Sequence, residues 1–104
     1  MKVKKLLQID FTMEAPFGTL MSEAFEPLAQ SIAQEKGLIW KIWTENSQNK
    51  EAGGIYLFDD EESALGYLTM HTKRLESFGI TPINAKIFDI NIPLSLIDRA
   101  PLGV

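Results

Sequence analysis

Two stretches of this chain, starting at Phe17 and at Glu61, carry apolar residues at three- and four-residue spacing, and stretches of alternating apolar and polar residues flank both. That switch between a period near 3.6 and a period of 2 is the strongest constraint on the fold, because one pattern greases a helix stripe and the other a strand face. Leu7, Ile9 and Phe11 alternate with Gln8 and Asp10, which predicts a strand over about 3–12. Leu20, Met21, Ala24, Leu28 and Ile32 then predict a helix that ends at Gly37, with a kink near Ala24 because Pro27 cannot donate its backbone bond. Residues 38–46 and 51–58 read as a hairpin joined by Ser47, Gln48, Asn49 and Lys50. Asp59 or Asp60 caps a second helix carrying Ala64, Leu68, His71, Leu75 and Phe78 on one stripe, and Gly79 stops it. A fourth strand occupies 83–91, and Pro93 opens an irregular tail.

The order β-α-β-β-α-β predicts one α+β domain over 1–104, a ferredoxin-like four-stranded antiparallel sheet with two helices on one face. No helix remains for the other face. Apolar residues there, among them Leu6, one of the two tryptophans and Phe88, call for a second copy of the chain as cover, and Gln8 and Asp10 for hydrogen bonds across that homodimer.

Composition narrows the function. A net charge of −4 with basic and acidic residues interspersed offers no continuous positive surface for nucleic acid. With no cysteine and a single histidine, neither a thiolate nor a His-based metal site can be assembled, and the cytoplasm is the expected compartment. Asp10 and Glu14 interrupt the apolar run after the basic start, so it does not read as a signal peptide, and no stretch is long and apolar enough to span a membrane. There is no dinucleotide fingerprint and no P-loop, so no cofactor is expected.

The hairpin holds the most informative anomaly. Trp40 and Trp43 stand three apart, on opposite sheet faces, and Gly53 and Gly54 interrupt the second strand, where they permit either a bulge or empty volume beside the backbone. Tyr56 and Phe58 share the Gly54 face. His71 is the natural general base, since its ordinary pKa lies near neutrality; a core histidine held by one partner is the other reading. Tyr56 or Arg74 is placed to steady an oxyanion, and Trp40, Trp43, Phe58, Gly54 and Glu45 are the candidate walls and contacts of a substrate, with Glu45 also an alternative base. Packing explains the aromatics equally well, and solvent exposure the charges.

The segments APFGTL (15–20), LIWKIWTEN (38–46), EAGGIYLF (51–58) and the H-T-x-R-L pattern from His71 to Leu75 closely resemble the YdhR-type monooxygenase family, from Leu6 to about Leu96. That family is part of the dimeric α+β barrel superfamily and is similar to the antibiotic-biosynthesis monooxygenases. The resemblance implies oxidation of a phenolic or hydroquinone ring by O2 without metal or flavin, in a pocket between sheet and helices. A non-catalytic dimer that binds a hydrophobic small molecule, and isomerase or decarboxylase chemistry with the same base, are the competing expectations.

Overall fold

The computed structural model describes residues 2–103. Strand β1 (Lys5–Thr12) leads to helix α1 (Thr19–Ile32), then come the hairpin strands β2 (Leu38–Asn46) and β3 (Glu51–Phe58), helix α2 (Glu61–Ser77), strand β4 (Asn84–Asp89) and a short helix α3 (Ile92–Ile97). The sheet is antiparallel in the order β2-β3-β1-β4, which is the ferredoxin-like arrangement. β1 runs in register with β3, Leu7 opposite Tyr56 and Ile9 opposite Gly54.

Alternation in the central strands decides which face the helices cover. Leu7, Ile9, Tyr56 and Phe58 point to one side and form a buried core with Ile32 of α1 and Ala64 and Tyr67 of α2. Each such side chain contributes roughly 1.5–3 kcal/mol by leaving water. A second cluster of Met13, Met21 and Ala52, flanked by Phe11, Phe17, Phe25 and Ile80, closes one end of the sheet.

Local chemistry explains the helix ends. The Asp60 carboxylate accepts from the Ser63 amide at 2.8 Å and starts α2. At the other end Gly79 has φ 81, with Gly79 N–H donating to Glu76 O and Ile80 N–H to Leu75 O, the paired bonds of a Schellman stop.

Four expectations are corrected. Helix α1 stops at Ile32 rather than at Gly37, whose φ of 81 instead serves the entry to β2, where a Cβ would run into the Ser63 side chain. Ala64, His71 and Leu75 of the expected α2 stripe are buried, but Phe78 is 58% exposed, Leu68 is half-buried and Tyr67 is buried beside them. The segment after β4, which ends at Asp89, is not irregular: Asn91 accepts from the Leu94 amide and Pro93 occupies the first helical turn, so α3 forms there.

The fourth concerns the sheet face away from the helices, which is partly covered by the chain itself. Trp40 lies there, and its Nε1 donates to Pro101 O at 2.8 Å, with Leu102 buried and Leu57, the cross-strand neighbour of Trp40, inaccessible. Ile42 and Phe88 on this face stay exposed, as do Leu94 and Ile97 of α3. The Asp10 carboxylate accepts from the Asn84 side-chain amide.

Candidate functional site

The two core clusters touch at Phe11, which packs against both. Between them, under the helices, lies a cavity of ≈ 30 Å³ walled by Phe11, Phe25, Leu28, Trp43 and Tyr56, with Lys41 and His71 among its lining groups. A space of that size holds a water-sized guest, whereas an apolar cavity of about 150 Å³ is the kind that takes a benzene ring. Outside it, between α1 and β2, runs an open groove of ≈ 460 Å³ lined by Met21, Phe25, Ala29, Trp43 and Glu45. The Phe25 and Trp43 rings, stacked with centroids 6.2 Å apart, border both spaces and separate them.

A β-bulge aims the β2 side chains. Leu38 faces Phe58 and Trp40 faces Leu57, so the extra residue at Ile39 flips the alternation and sends Lys41 and Trp43 under the helices together. Lys41 then lies flat along the sheet, its Nζ 3.4 Å from the Trp43 ring centroid and 4.8 Å from that of Tyr56. Gly54 makes that possible: a Cβ there would stand 2.6 Å from Lys41 Cε and 3.1 Å from the Tyr56 ring. Gly53 has a different cause, because its Cβ would collide with the β1 backbone at Ile9 O. One glycine makes room for a lysine and the other for a neighbouring strand.

Helix α2 supplies the polar partners. His71 is 3% exposed, and Arg74 donates to its Nδ1 through Nη2 at 2.9 Å and Nε at 3.2 Å. A ring nitrogen that accepts leaves the proton of the neutral imidazole on Nε2. Burial pushes the His71 pKa down to about 3, and the Arg74 and Lys41 charges push the same way. Tyr67 stacks on His71 at 4.9 Å, and its hydroxyl is 3.1 Å from that of Tyr56. Burial raises Tyr56 far above the ordinary phenol value and Tyr67 to about 12, so both remain protonated at neutral pH. Two hydroxyl protons and one mutual contact leave one proton for a third partner. Lys41 moves the other way: burial lowers it to about 7, with the Arg74 charge adding to the effect. The aromatic faces beneath it attract the cation and so oppose that fall.

The residues singled out in the sequence therefore divide. His71, Tyr56 and Trp43 come together at the cavity, with Arg74 behind His71; Gly54 does not line it but lies against Lys41 and Tyr56, which do. Trp40 does not line it, since it is on the opposite face with the C-terminal tail. Phe58 is completely buried one layer away, packed on Tyr56 and Tyr67. Glu45 stands at the rim of the outer groove and accepts from the Gly18 amide at 2.7 Å, tying β2 to the start of α1. Lys41 and Tyr67 are additions. Parity with Trp43 was the available signal for Lys41; Tyr67, one turn before His71, was the signal on α2. Among the described residues no group of three or more His, Asp or Glu side chains is arranged to hold a metal.

Comparison with known proteins gives the family and the fold. The family described as "Putative mono-oxygenase ydhR" matches residues 6–101. The chain belongs to this family. Among solved structures, a crystal structure described as a putative antibiotic biosynthesis monooxygenase from Deinococcus radiodurans is similar, with a TM-score of 0.62 and 15% identity over 84% of this chain and 92% of that one. At that identity the likeness bears on the fold, and it extends the ferredoxin-like reading of this ydhR family member. No curated protein matches significantly. Among the described residues no helix is long and apolar enough to cross a membrane.

Proposed function

We propose that this ydhR family member is a cofactor-independent monooxygenase of the cytoplasm that uses O2 to oxidise a small phenolic compound to a quinone, acting as a homodimer. The observation that carries the reading is the aromatic cavity whose polar lining, Lys41, Thr44, Tyr56 and His71, contains donors and proton acceptors but no carboxylate. In such a reaction one oxygen atom enters the ring, the other leaves as water, and all the electrons come from the substrate. Tyr56, held protonated, donates to the oxyanion, and His71 in its neutral form donates through Nε2 while Arg74 fixes the ring. Trp43 and Phe25 flank the substrate ring, and because the closed cavity admits only a water-sized guest, their stack parts on entry. Exposed Ile42 and Phe88 on the far sheet face, with Leu94 and Ile97 beside the chain's end, support a second copy as cover.

The test is an oxygen electrode run with a panel of monohydric phenols and hydroquinones, with quinone followed by its absorbance. Oxygen uptake matched by quinone, and abolished in Tyr56→Phe and His71→Gln, is the expected result. A second reading, a binding protein for a hydrophobic small molecule, draws support from the outer groove, which is large enough for a ligand and apolar at Met21, Phe25, Ala29 and Trp43, away from His71. Retention of a ligand with no oxygen uptake on any substrate decides for that reading.

A further inference from the structure

A lysine amine beneath a helical layer ordinarily has a carboxylate beside it, because a buried charge without a partner is costly. Lys41 has none: among the described residues it makes no ion pair, and the cavity it lines holds no Asp or Glu. The groups that face it are Tyr56 from β3 and His71 and Arg74 from α2, with Tyr67 behind; α1 presents Met21, Phe25 and Leu28, and Glu26 and Glu45 stand outside the cavity, on the outer groove. The Arg74 cation, an amine poised between its charged and neutral forms, and neutral hydroxyls make a site that holds no negative charge.

The sequence gives up a side chain at Gly54 to seat this lysine, and two aromatic faces hold its ammonium without neutralising it. His71 cannot take a proton from a guest at Nδ1, because two Arg74 donors occupy that atom. We propose that Lys41 is the proton acceptor of this site and that its substrate is a phenol, bound as the phenolate against the Lys41 ammonium, an inference that rests on the phenolic reading above. The phenolic O–H bond breaks, its electron pair stays on oxygen, and the proton joins the neutral Nζ. Nothing is oxidised in this step; it produces the electron-rich ring that O2 then attacks. The lowered Lys41 pKa keeps the neutral amine available near pH 7, and the phenolate then holds the transferred proton in place.

The probe is 3-nitrophenol, whose phenolate absorbs at longer wavelength than its neutral form and which is largely neutral in water at neutral pH. Added to the wild-type protein in weakly buffered solution at about pH 8, where Lys41 is mostly neutral and the free probe still mostly so, it is expected to show the phenolate spectrum on binding with little proton released, since Lys41 keeps the proton. Lys41→Arg, a cation that cannot accept, is expected to bind the phenolate while releasing a proton to solution for each probe bound. Lys41→Met is expected to bind at least about tenfold more weakly and to leave the bound probe neutral. A neutral spectrum for probe bound to the wild type, or a phenolate spectrum in Lys41→Met, overturns the role of Lys41 while leaving a ring-binding cavity. Failure of the wild type to bind either 3-nitrophenol or its neutral analogue 3-nitrotoluene overturns the phenolic site itself. If a variant fails to fold, the wild-type spectrum and proton release decide together: a phenolate spectrum with a proton released for each probe bound also overturns Lys41 as the acceptor.

Discussion

Gly54→Ala isolates the relation between a missing side chain and the lysine above it. The added methyl would stand 2.6 Å from Lys41 Cε, 3.1 Å from Tyr56 Cε1 and 3.3 Å from Ile42 O, where ordinary contacts lie at 3.4–4 Å. The lysine is the flexible member of that set and must give by roughly 1 Å, so the variant folds but loses about 1–3 kcal/mol, the usual cost of overpacking. In a domain of this size that lowers the thermal midpoint by about 4–8 °C per kcal/mol. Gly53→Ala has no such outlet, because its methyl meets the β1 main chain at Ile9 and Asp10, and the central strand pair must separate; a loss above about 4 kcal/mol is expected. Urea denaturation of both variants, and of Gly54→Ala combined with Lys41→Ala, completes the comparison. Removing the lysine beyond Cβ removes the main collision, so the alanine at 54 is expected to cost less than about 1 kcal/mol in that background, a coupling well above the few tenths seen for independent sites. Equal losses for the two glycines, or additive behaviour in the double variant, would refute the idea that Gly54 exists to seat Lys41.

Three other perturbations follow from the same geometry. His71 is the only histidine, so its ring resonances should show no titration between pH 5 and 8 and should report the Nε2–H form; its folded pKa of about 3 lies below the ordinary 6.5, so the unfolded chain takes up the proton first, and urea midpoints should fall as pH drops from 6.5 towards 3 in the wild type but less in His71→Gln. Phe25→Ala should join the cavity to the outer groove and strengthen binding of bicyclic over monocyclic phenols, measured by competition with 3-nitrophenol; unchanged selectivity would remove Phe25 from the entry path. Trp40→Phe should lose the bond to Pro101 O, cost about 1 kcal/mol, and speed hydrogen exchange near Leu102 while leaving probe binding unaltered; a change in probe binding would bring Trp40 back into the site.

The element order was legible because the apolar period changes sharply at each boundary, and Asp60 and Gly79 advertise their roles through side-chain chemistry that needs no tertiary partner. Gly37 misled for the same reason. Its positive φ was foreseeable, but only the Ser63 side chain packed against it tells that the conformation serves the turn into β2 rather than the end of α1. The α2 stripe was read one residue off its centre, since Tyr67 and Leu68 are about 100° apart on a helix and both satisfy a loose spacing rule. Lys41 stayed hidden because the bulge at Ile39 cannot be read from a single sequence, and lysine in a strand reads as solvent-facing until that shift in parity is known. Asn91 and Pro93 together make a helix start, an Asx cap followed by a proline in the first turn, which reading Pro93 only as a breaker passes over.

Lys41, Gly54, Tyr56, Tyr67, His71 and Arg74 all belong to the consecutive elements β2, β3 and α2, whereas α1 offers the site only Met21, Phe25 and Leu28. In the proposed reaction the polar groups thus come from one stretch of chain, while α1 contributes apolar wall alone. A library restricted to those three α1 positions can redraw which molecules are admitted while the proton-handling groups keep their mutual distances, so relatives that share the middle of the chain and differ in the first helix are where divergent substrate preference is to be sought.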